Sequence, residues 1–447
     1  MFSKILIANR GEIAVRVIRA CREMGVRSVA VYSETDRDAL HVQLADEAVC
    51  IGPARAADSY LNMPSVLSAT VLTGAEALHP GFGFLSENAK FARMCGQCNI
   101  AFIGPSPTAM EMVGHKLTAR LTMMAAGVPV VPGSQGLIED AGEALALADA
   151  LGYPVLIKAA AGGGGRGIRR VDKREAFADA LHAARTEALS AFGDDSCYIE
   201  KLLEQAHHIE FQILCDAHGN ALHLFERDCS VQRRRQKLVE EAPSSLLDDD
   251  LRRRMGEAAL AAAGACGYVG AGTVEFLLDD EGAFYFMEMN ARIQVEHPVT
   301  EQLTGVDLIK AQILIAAGED ITAYGIAQEA LTIRGHAIEC RLNAEDPERG
   351  FAPSAGKVTV LHMPGGPGVR VDSLLYSGVS VPPYYDSMLA KIIVTAPSRA
   401  EAIVRMQRAL GEVSIEGVAT NADYLLGIIS DPAFARGGVH THWLEER

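Results

Sequence analysis

Gly272-Thr-Val-Glu-Phe-Leu-Leu-Asp-Asp-Glu-Gly-Ala-Phe-Tyr-Phe-Met-Glu-Met-Asn-Ala-Arg-Ile-Gln-Val-Glu-His-Pro298 is the stretch on which the fold turns. Two strand-like runs, 273–278 and 284–289, flank residues 279–283. A two-residue turn at Glu281 and Gly282 places Glu275 directly opposite Glu288, with Val274, Phe276, Tyr285 and Met287 as apolar partners. A register moved by two residues keeps both carboxylates on one face, and one moved by a single residue separates them. Asn290 follows Glu288 by two positions and shares its face while the strand continues. Carboxylates held side by side repel each other, so the arrangement calls for a cation between them. Hard oxygen ligands without His or Cys suit Mg²⁺, which takes one or two carboxylates plus substrate phosphates. Arg292 and Glu296 follow at once and set a cation and another acid beside that position. A solvated hairpin would carry the same acidic residues, so the choice rests on the remainder of the chain.

The 447 residues leave room for two to four domains and a substantial core. Apolar content of 49% and charged content of 22% describe a globular protein. A net charge of −16 argues against nucleic acid or an anionic membrane as the main partner. Any functional cations therefore belong in a local pocket. Nine scattered cysteines fit free thiols in a reducing compartment, and Cys95-x-x-Cys98 has no second pair at zinc-ribbon spacing. The first residues run straight into a strand without a basic leader, and no apolar run approaches a membrane span. Together these features predict a cytoplasmic protein.

Ile5 to Ala8 reads as a buried strand and Asn9-Arg-Gly11 as its turn. Ile13, Ala14, Val17, Ile18, Cys21 and Met24 recur at helical spacing until Gly25. Ser28 to Tyr32 is the returning strand, which opens a doubly wound parallel sheet. The loop lacks the dinucleotide glycine pattern. A change of punctuation at Gly127-Val-Pro-Val-Val-Pro-Gly133 introduces a small α/β module, and a larger α+β section follows it. There His208, Glu210 and Gln212 alternate with Ile209, Phe211 and Ile213, the pattern of a half-buried strand. Ser398-Arg-Ala-Glu401 forms a capping box for a helix through Leu410.

Pro154-Val-Leu-Ile-Lys158 is a strand ending in lysine, and Ala159-Ala-Ala-Gly-Gly-Gly-Gly-Arg-Gly167 follows it. Four successive glycines cost backbone entropy and add no packing, so close approach of amides to a phosphate explains them. Lys158 would meet the same phosphates as a point charge, and Lys116 is a second candidate. The lysine precedes the glycines, so this is not a P-loop. Arg227-Asp-Cys-Ser-Val-Gln-Arg-Arg-Arg-Gln-Lys237 is the one strongly basic run. In an acidic chain, with Glu240 and Glu241 adjacent, it suits a small bound anion better than nucleic acid. Arg341 alternates away from Leu342 and can join the same pocket.

Taken together, Ile7–Ile13, His79–Asn88, Lys158–Gly167, Glu226–Gln232, Glu288–Pro298 and Arg341–Asp346 resemble the ATP-grasp biotin carboxylases, in order and over essentially the whole chain. The resemblance implies an N-terminal doubly wound parallel-sheet domain (1–114), a linker (115–129), a small glycine-lid domain (130–202) and a larger antiparallel-sheet domain (203–447). It implies ATP contacts at Lys116, Lys158, Gly164, Gly165, the hinge Glu200-Lys201-Leu202-Leu203, His208 and Arg235. It places Mg²⁺ (or Mn²⁺) on Glu275, Glu288 and Asn290, with the two carboxylates also serving the nucleotide. Lys237, Arg292, the backbone of Val295 and Arg341 match the bicarbonate and biotin positions, and Glu296 the proposed general base. Arg235 stands where the family usually has histidine, and Phe82 where tyrosine is common.

The implied reaction is ATP- and bicarbonate-dependent carboxylation of biotin through carboxyphosphate, the first half-reaction of acetyl-CoA carboxylase in fatty acid synthesis. The biotin would sit on a separate carrier protein, since no Met-Lys-Met-like acceptor tripeptide occurs here. A carboxyltransferase subunit and a second copy of the chain complete the implied partners. A propionyl-CoA, methylcrotonyl-CoA or pyruvate carboxylase subunit would look similar. A different ATP-grasp ligase would share the lysine, glycine loop and metal hairpin, but need not carry Arg292, Glu296 and Arg341 together. An ATP-sensing subunit without turnover is the rival from another class.

Overall fold

The computed structural model describes residues 1–160 and 167–447. The N-terminal sheet contains β1 (Lys4–Ile7), β2 (Arg27–Ser33), β3 (Glu47–Gly52), β4 (Ala77–His79) and β5 (Ala101–Phe102). They lie in the order β3-β2-β1-β4-β5, and every pair is parallel. β1 is apolar from Ile5 to Ile7 because it is buried on both faces there. Ile5 and Ile7 pack with Ile13, Val17 and Ile18 of the helix Gly11–Glu23. Leu6 and Ala8 join Val29, Val31 and Phe91 on the other face. The helix stops where Gly25 takes a positive φ of 71°.

A small sheet follows, with β6 (Val155–Ala159), β7 (Ile168–Val171) and β8 (Cys197–Lys201) ordered β7-β6-β8 and antiparallel. Val155, Ile157 and Ile199 bury one face against Phe177, Leu181 and Ala184 of the helix Phe177–Phe192. Lys158 alternates with Ile157, so its side chain leaves by the other face. The glycine run joins β6 to β7, and Gly164 and Gly165 lie outside the described residues.

The large sheet is built from β9 (His207–Cys215), β10 (Ala221–Arg233), β11 (Gln236–Ala242), β12 (Gly270–Leu278), β13 (Phe284–Asn290), β14 (His336–Asn343), β15 (Val369–Ser373) and β16 (Met388–Ala396). Its order is β13-β12-β9-β10-β11-β14-β16-β15, antiparallel throughout. Ile209, Phe211, Val274 and Phe276 pack under the helix Asp249–Ala265. Ile338, Cys340, Ile392 and Val394 pack under the helix Arg399–Gly411, whose Ser398 cap accepts from the Glu401 amide as its capping box predicts.

Two readings of this region are corrected. β9 is not half-buried: His208, Glu210 and Gln212 are as buried as the apolar residues between them. The strand lies inside the sheet, and its polar face meets other charged groups instead of water. The β12–β13 turn is also longer than two residues. Asp279 N–H donates to Ala283 O at 2.9 Å, and Gly282 takes φ 80° in a three-residue loop. Leu278 therefore faces Phe284 and Phe276 faces Phe286, and the register then shifts so that Glu275 still faces Glu288. Met287 is the extra residue of that bulge and is exposed. Phe284, Phe286 and Met289, in place of Tyr285 and Met287, supply the apolar face.

Every cysteine is a free thiol, with Cys95 buried and Cys98 exposed. Among the described residues no helix is long and apolar enough to cross a membrane.

Candidate functional site

The polar face of the large sheet, the face of the small sheet that carries Leu156, Lys158 and Glu200, and the loops after β1 and β4 line a cleft of about 2110 Å³. That is roomier than the roughly 300–1,000 Å³ that holds one drug-sized ligand, so two substrates fit together. Lys116, Lys158, Glu200 to Leu203, His208, Arg235, Lys237, Glu275, Glu288, Asn290, Arg292, Val295 and Arg341 all line it. Glu296 is fully buried just behind that wall.

Lys237 is the centre of the charge network. Its Nζ donates to Glu210 at 2.6 Å, Glu296 at 2.6 Å and Glu275 at 2.9 Å. Burial opposes its charge, yet the three carboxylates hold its pKa well above the ordinary lysine value. Burial alone would raise Glu296, but Lys237, Arg341 and Arg227 keep that carboxyl well below its usual range, so it is ionised. Arg341 donates from Nη2 to Glu296 at 2.9 Å and from Nε to Glu240 at 2.6 Å. Glu240 is pushed up to about 7, chiefly by burial, against the pull of Arg341.

The segment after β13 folds back over this cluster. Arg292 donates to Asn290 Oδ1 at 3.0 Å, Gln294 Oε1 at 2.8 Å and Glu87 Oε2 at 3.2 Å. Glu87 also accepts from the Ala291 amide at 3.0 Å, so the N-terminal sheet's loop helps aim the guanidinium. Phe82, from the same loop, lines the cleft.

Glu275 and Glu288 differ in environment although they stand side by side. Glu275 Oε1 accepts from Lys237, from Asn290 at 2.9 Å and from Gln294 at 3.1 Å, and His208 Nε2 lies 3.0 Å from Oε2. Burial opposes its ionisation, and Lys237 and His208 override it, so its pKa falls. Among the described residues, Lys116 is the one cation within ion-pair distance of Glu288, at 3.8 Å. Burial and then Glu275 raise its pKa, which marks an incompletely neutralised carboxylate. Two carboxylates and an amide on one face, one acid short of positive charge, fit a hard divalent cation.

At the lid end, Lys158 is paired with Glu200, which also accepts from buried Arg120 at 3.1 Å. Lys201 turns to the Gly152 and Tyr153 carbonyls at 3.0 and 3.2 Å. His208 Nδ1 lies 2.7 Å from Gln232 Nε2, which fixes the ring. The basic run is a hairpin, not a solvated loop. Arg227 is fully buried against Glu210, Gln212, Thr273 and Thr300, whereas Arg235 sits exposed at the tip.

Sequence reasoning passed over Glu210, Glu240, Gln294, Glu87 and Arg120. Glu210 had a usable signal, because it shares the polar face of β9 with His208 and opposes Arg227 in register. The contacts of Glu87 and Arg120 span 204 and 80 residues, and no local pattern announces such pairs.

A lysine-bearing three-stranded lid facing a broad antiparallel sheet with paired carboxylates defines the ATP-grasp class. Residues 1–110 match the biotin carboxylase N-terminal domain, 115–324 the carbamoyl-phosphate synthase L chain ATP binding domain, and 339–446 the biotin carboxylase C-terminal domain. The chain is 57% identical over 445 residues to a biotin carboxylase of Nostoc sp., covering 100% of this chain and 99% of that one. It superposes with TM-score 0.95 and 47% identity on a Campylobacter jejuni biotin carboxylase crystallised as a β,γ-ATP complex, covering 100% and 99%. It superposes with TM-score 0.93 and 50% identity on the biotin carboxylase domain dimer of Hydrogenobacter thermophilus 2-oxoglutarate carboxylase, covering 100% and 98%, whose crystals held MgADP, ADP and bicarbonate. The chain belongs to the biotin carboxylase family of ATP-dependent ligases.

Proposed function

We propose that this chain carboxylates biotin on a separate carrier protein, as the first half-reaction of acetyl-CoA carboxylase. The observation that carries the reading is the sharing of Glu296 between Lys237 and Arg341, beside Arg292 and Val295 at the cleft wall. This set offers cations to an anion, an ionised carboxylate to a proton and a guanidinium to a developing oxyanion.

ATP would lie under the lid, with Lys116 and Lys158 at its phosphates and Leu202 and Leu203 at its base. Glu275, Glu288 and Asn290 would hold Mg²⁺ or Mn²⁺, which supplies neutralisation of phosphate charge when bound. Arg292 and the Val295 backbone would orient bicarbonate, with Lys237 drawn from its carboxylates towards the new anion. Bicarbonate oxygen attacks the γ-phosphorus, ADP leaves and carboxyphosphate forms. Closure of the glycine lid would shield it from water. Carboxyphosphate then releases CO₂ and phosphate next to biotin. Glu296 or the departing phosphate accepts the ureido proton, the nitrogen bonds to CO₂, and Arg341 stabilises the ureido oxyanion.

Near full-length similarity to a biotin carboxylase of Nostoc supports a stand-alone biotin carboxylase subunit, and similarity to the 2-oxoglutarate carboxylase domain supports a keto-acid carboxylase as the alternative. We also propose a homodimer, a cytoplasmic location and the division 1–114, 115–129, 130–202 and 203–447. ADP release from Mg-ATP and bicarbonate, with and without free biotin, tests the carboxylase reading. Reconstitution with purified carriers and carboxyltransferases from each system tests the acceptor.

A further inference from the structure

Lys391, on β16, is a lysine with no exposed surface. A buried ammonium needs partners, and it has two that come from different parts of the fold. Its Nζ donates to the Val295 carbonyl at 2.7 Å and lies 3.2 Å from Glu12 Oε1. Glu12 is in the first turn of the helix Gly11–Glu23, beneath the N-terminal sheet, and is itself buried. Among the described residues neither of its carboxyl oxygens has a hydrogen-bond partner, so Lys391 meets it as an ion pair. Burial pushes it up to about 6, against the pull of Lys391. In register, Lys391 stands opposite Arg341 on one side and Asp372 on the other.

The Val295 carbonyl belongs to the same planar peptide as the Glu296 amide. Fixing one end of that plane fixes where Glu296 leaves the chain, two bonds from a side chain shared by Lys237 and Arg341. Glu296 also caps the helix His297–Thr304, without a side-chain cap bond of its own. His297 Nδ1 lies 2.8 Å from the Gln294 carbonyl within this turn, and the Lys391 bond to Val295 anchors it from outside.

We propose that Lys391 is a positioning residue for the reaction: held by Glu12, it locks the Val295–Glu296 peptide so that the anion-facing backbone and the Glu296 carboxylate are aimed together. The inference rests on the carboxylase reading above. It also makes the N-terminal domain a structural contributor to the bicarbonate site, through Glu12, from 379 residues away in sequence.

Lys391→Met alone would leave Glu12 buried and unpaired, so the decisive protein is the double variant Glu12→Gln/Lys391→Met, in which the Glu12 charge leaves with that of Lys391; Asp372 keeps Arg370 in both proteins. Bicarbonate-dependent ADP release should show a bicarbonate KM raised about 10- to 100-fold, the span of one charge-assisted hydrogen bond, while the ATP KM stays within about twofold. Hydrogen exchange in the segment 293–297 should accelerate, and exchange in β1 and β12 should not. Lys391→Gln, which keeps a donor for the carbonyl, should recover part of the bicarbonate KM. A folded double variant with wild-type bicarbonate KM and unchanged exchange in 293–297 would overturn the role of Lys391 and leave the carboxylase reading intact. Wild-type protein without bicarbonate-dependent turnover would overturn both.

Discussion

Replacing Lys237 by methionine removes one cation from three carboxylates at once. Methionine keeps the length and apolar stem, so the change isolates the charge. Glu210 and Glu296 are fully buried and Glu275 nearly so, and none can turn to water. Stripping a partner from a buried ion pair costs about 3–5 kcal/mol. Glu210 retains Arg227 and Glu296 retains Arg341, which places the expected loss near the lower end, about 3 kcal/mol.

The pH dependence gives the sharper test. In the wild type Glu296 is held below its usual range, so its contribution is present above the unfolded value of about 4.3 and is lost only as pH falls through the depressed folded value. It adds no slope near neutrality. Without Lys237, burial carries the Glu296 carboxyl above the unfolded value and pushes Glu210, which burial already raises in the wild type, further up. Stability is then fully present below about pH 4.3 and declines as pH rises through the raised values. Each unit of upward shift is worth about 1.4 kcal/mol. Wild-type stability itself falls between about pH 5.5 and about pH 8, because Glu12, at about 6, and Glu240, at about 7, are raised by burial. Urea unfolding followed by circular dichroism at stepped pH should give a variant midpoint that falls more steeply than the wild-type midpoint over that range. ADP release should be lost over the same range. Parallel curves for the two proteins would show that Lys237 does not hold these acids ionised.

Arg341→Ser should cut biotin carboxylation by roughly 100-fold, the scale of one oxyanion donor, with bicarbonate-dependent ATP cleavage better preserved; equal carboxylation by the folded variant would remove Arg341 from the ureido site. Glu288→Lys should abolish divalent-metal-dependent turnover, because a cation then occupies the metal face; retained Mg²⁺ titration of activity would show a merely solvated hairpin. Gly165→Val should raise the ATP KM without unfolding the protein, since a β-branched residue obstructs close backbone approach; an unchanged KM would separate the glycine run from phosphate binding.

The elements whose signals are local were legible in the sequence. The βαβ start shows itself because the run Ile5–Ala8 is apolar throughout and the next helix repeats at 3.6 residues with glycine at its end. Lys158 before the glycines and Arg341 opposite Leu342 follow from alternation alone. Burial in β9 did not, since alternation reports which residues share a face and says nothing about what covers that face. The partners of Glu296 lie in β11, β14 and, through Val295, β16, and no window of sequence holds them together.

The carboxylate pair shows most sharply what periodicity sees and what it misses. A three-residue loop without further adjustment would set Met287 opposite Glu275 and turn Glu288 towards the apolar side. The bulge at Met287 takes up that one residue and returns Glu288 to the face of Glu275. Two departures of one residue cancel, so the simple two-residue register gave the right acidic pair for the wrong backbone and misplaced the aromatic residues. The bulge also bends and twists the strand locally, at the point where Glu288 is partly exposed and Lys116, its one ion-pair partner among the described residues, lies 3.8 Å away. Glu275, on the regular side of the shift, is instead saturated by Lys237, Asn290 and Gln294. The irregularity thus separates the two acids chemically: one is neutralised by protein groups, and the other is left short of positive charge towards the cleft.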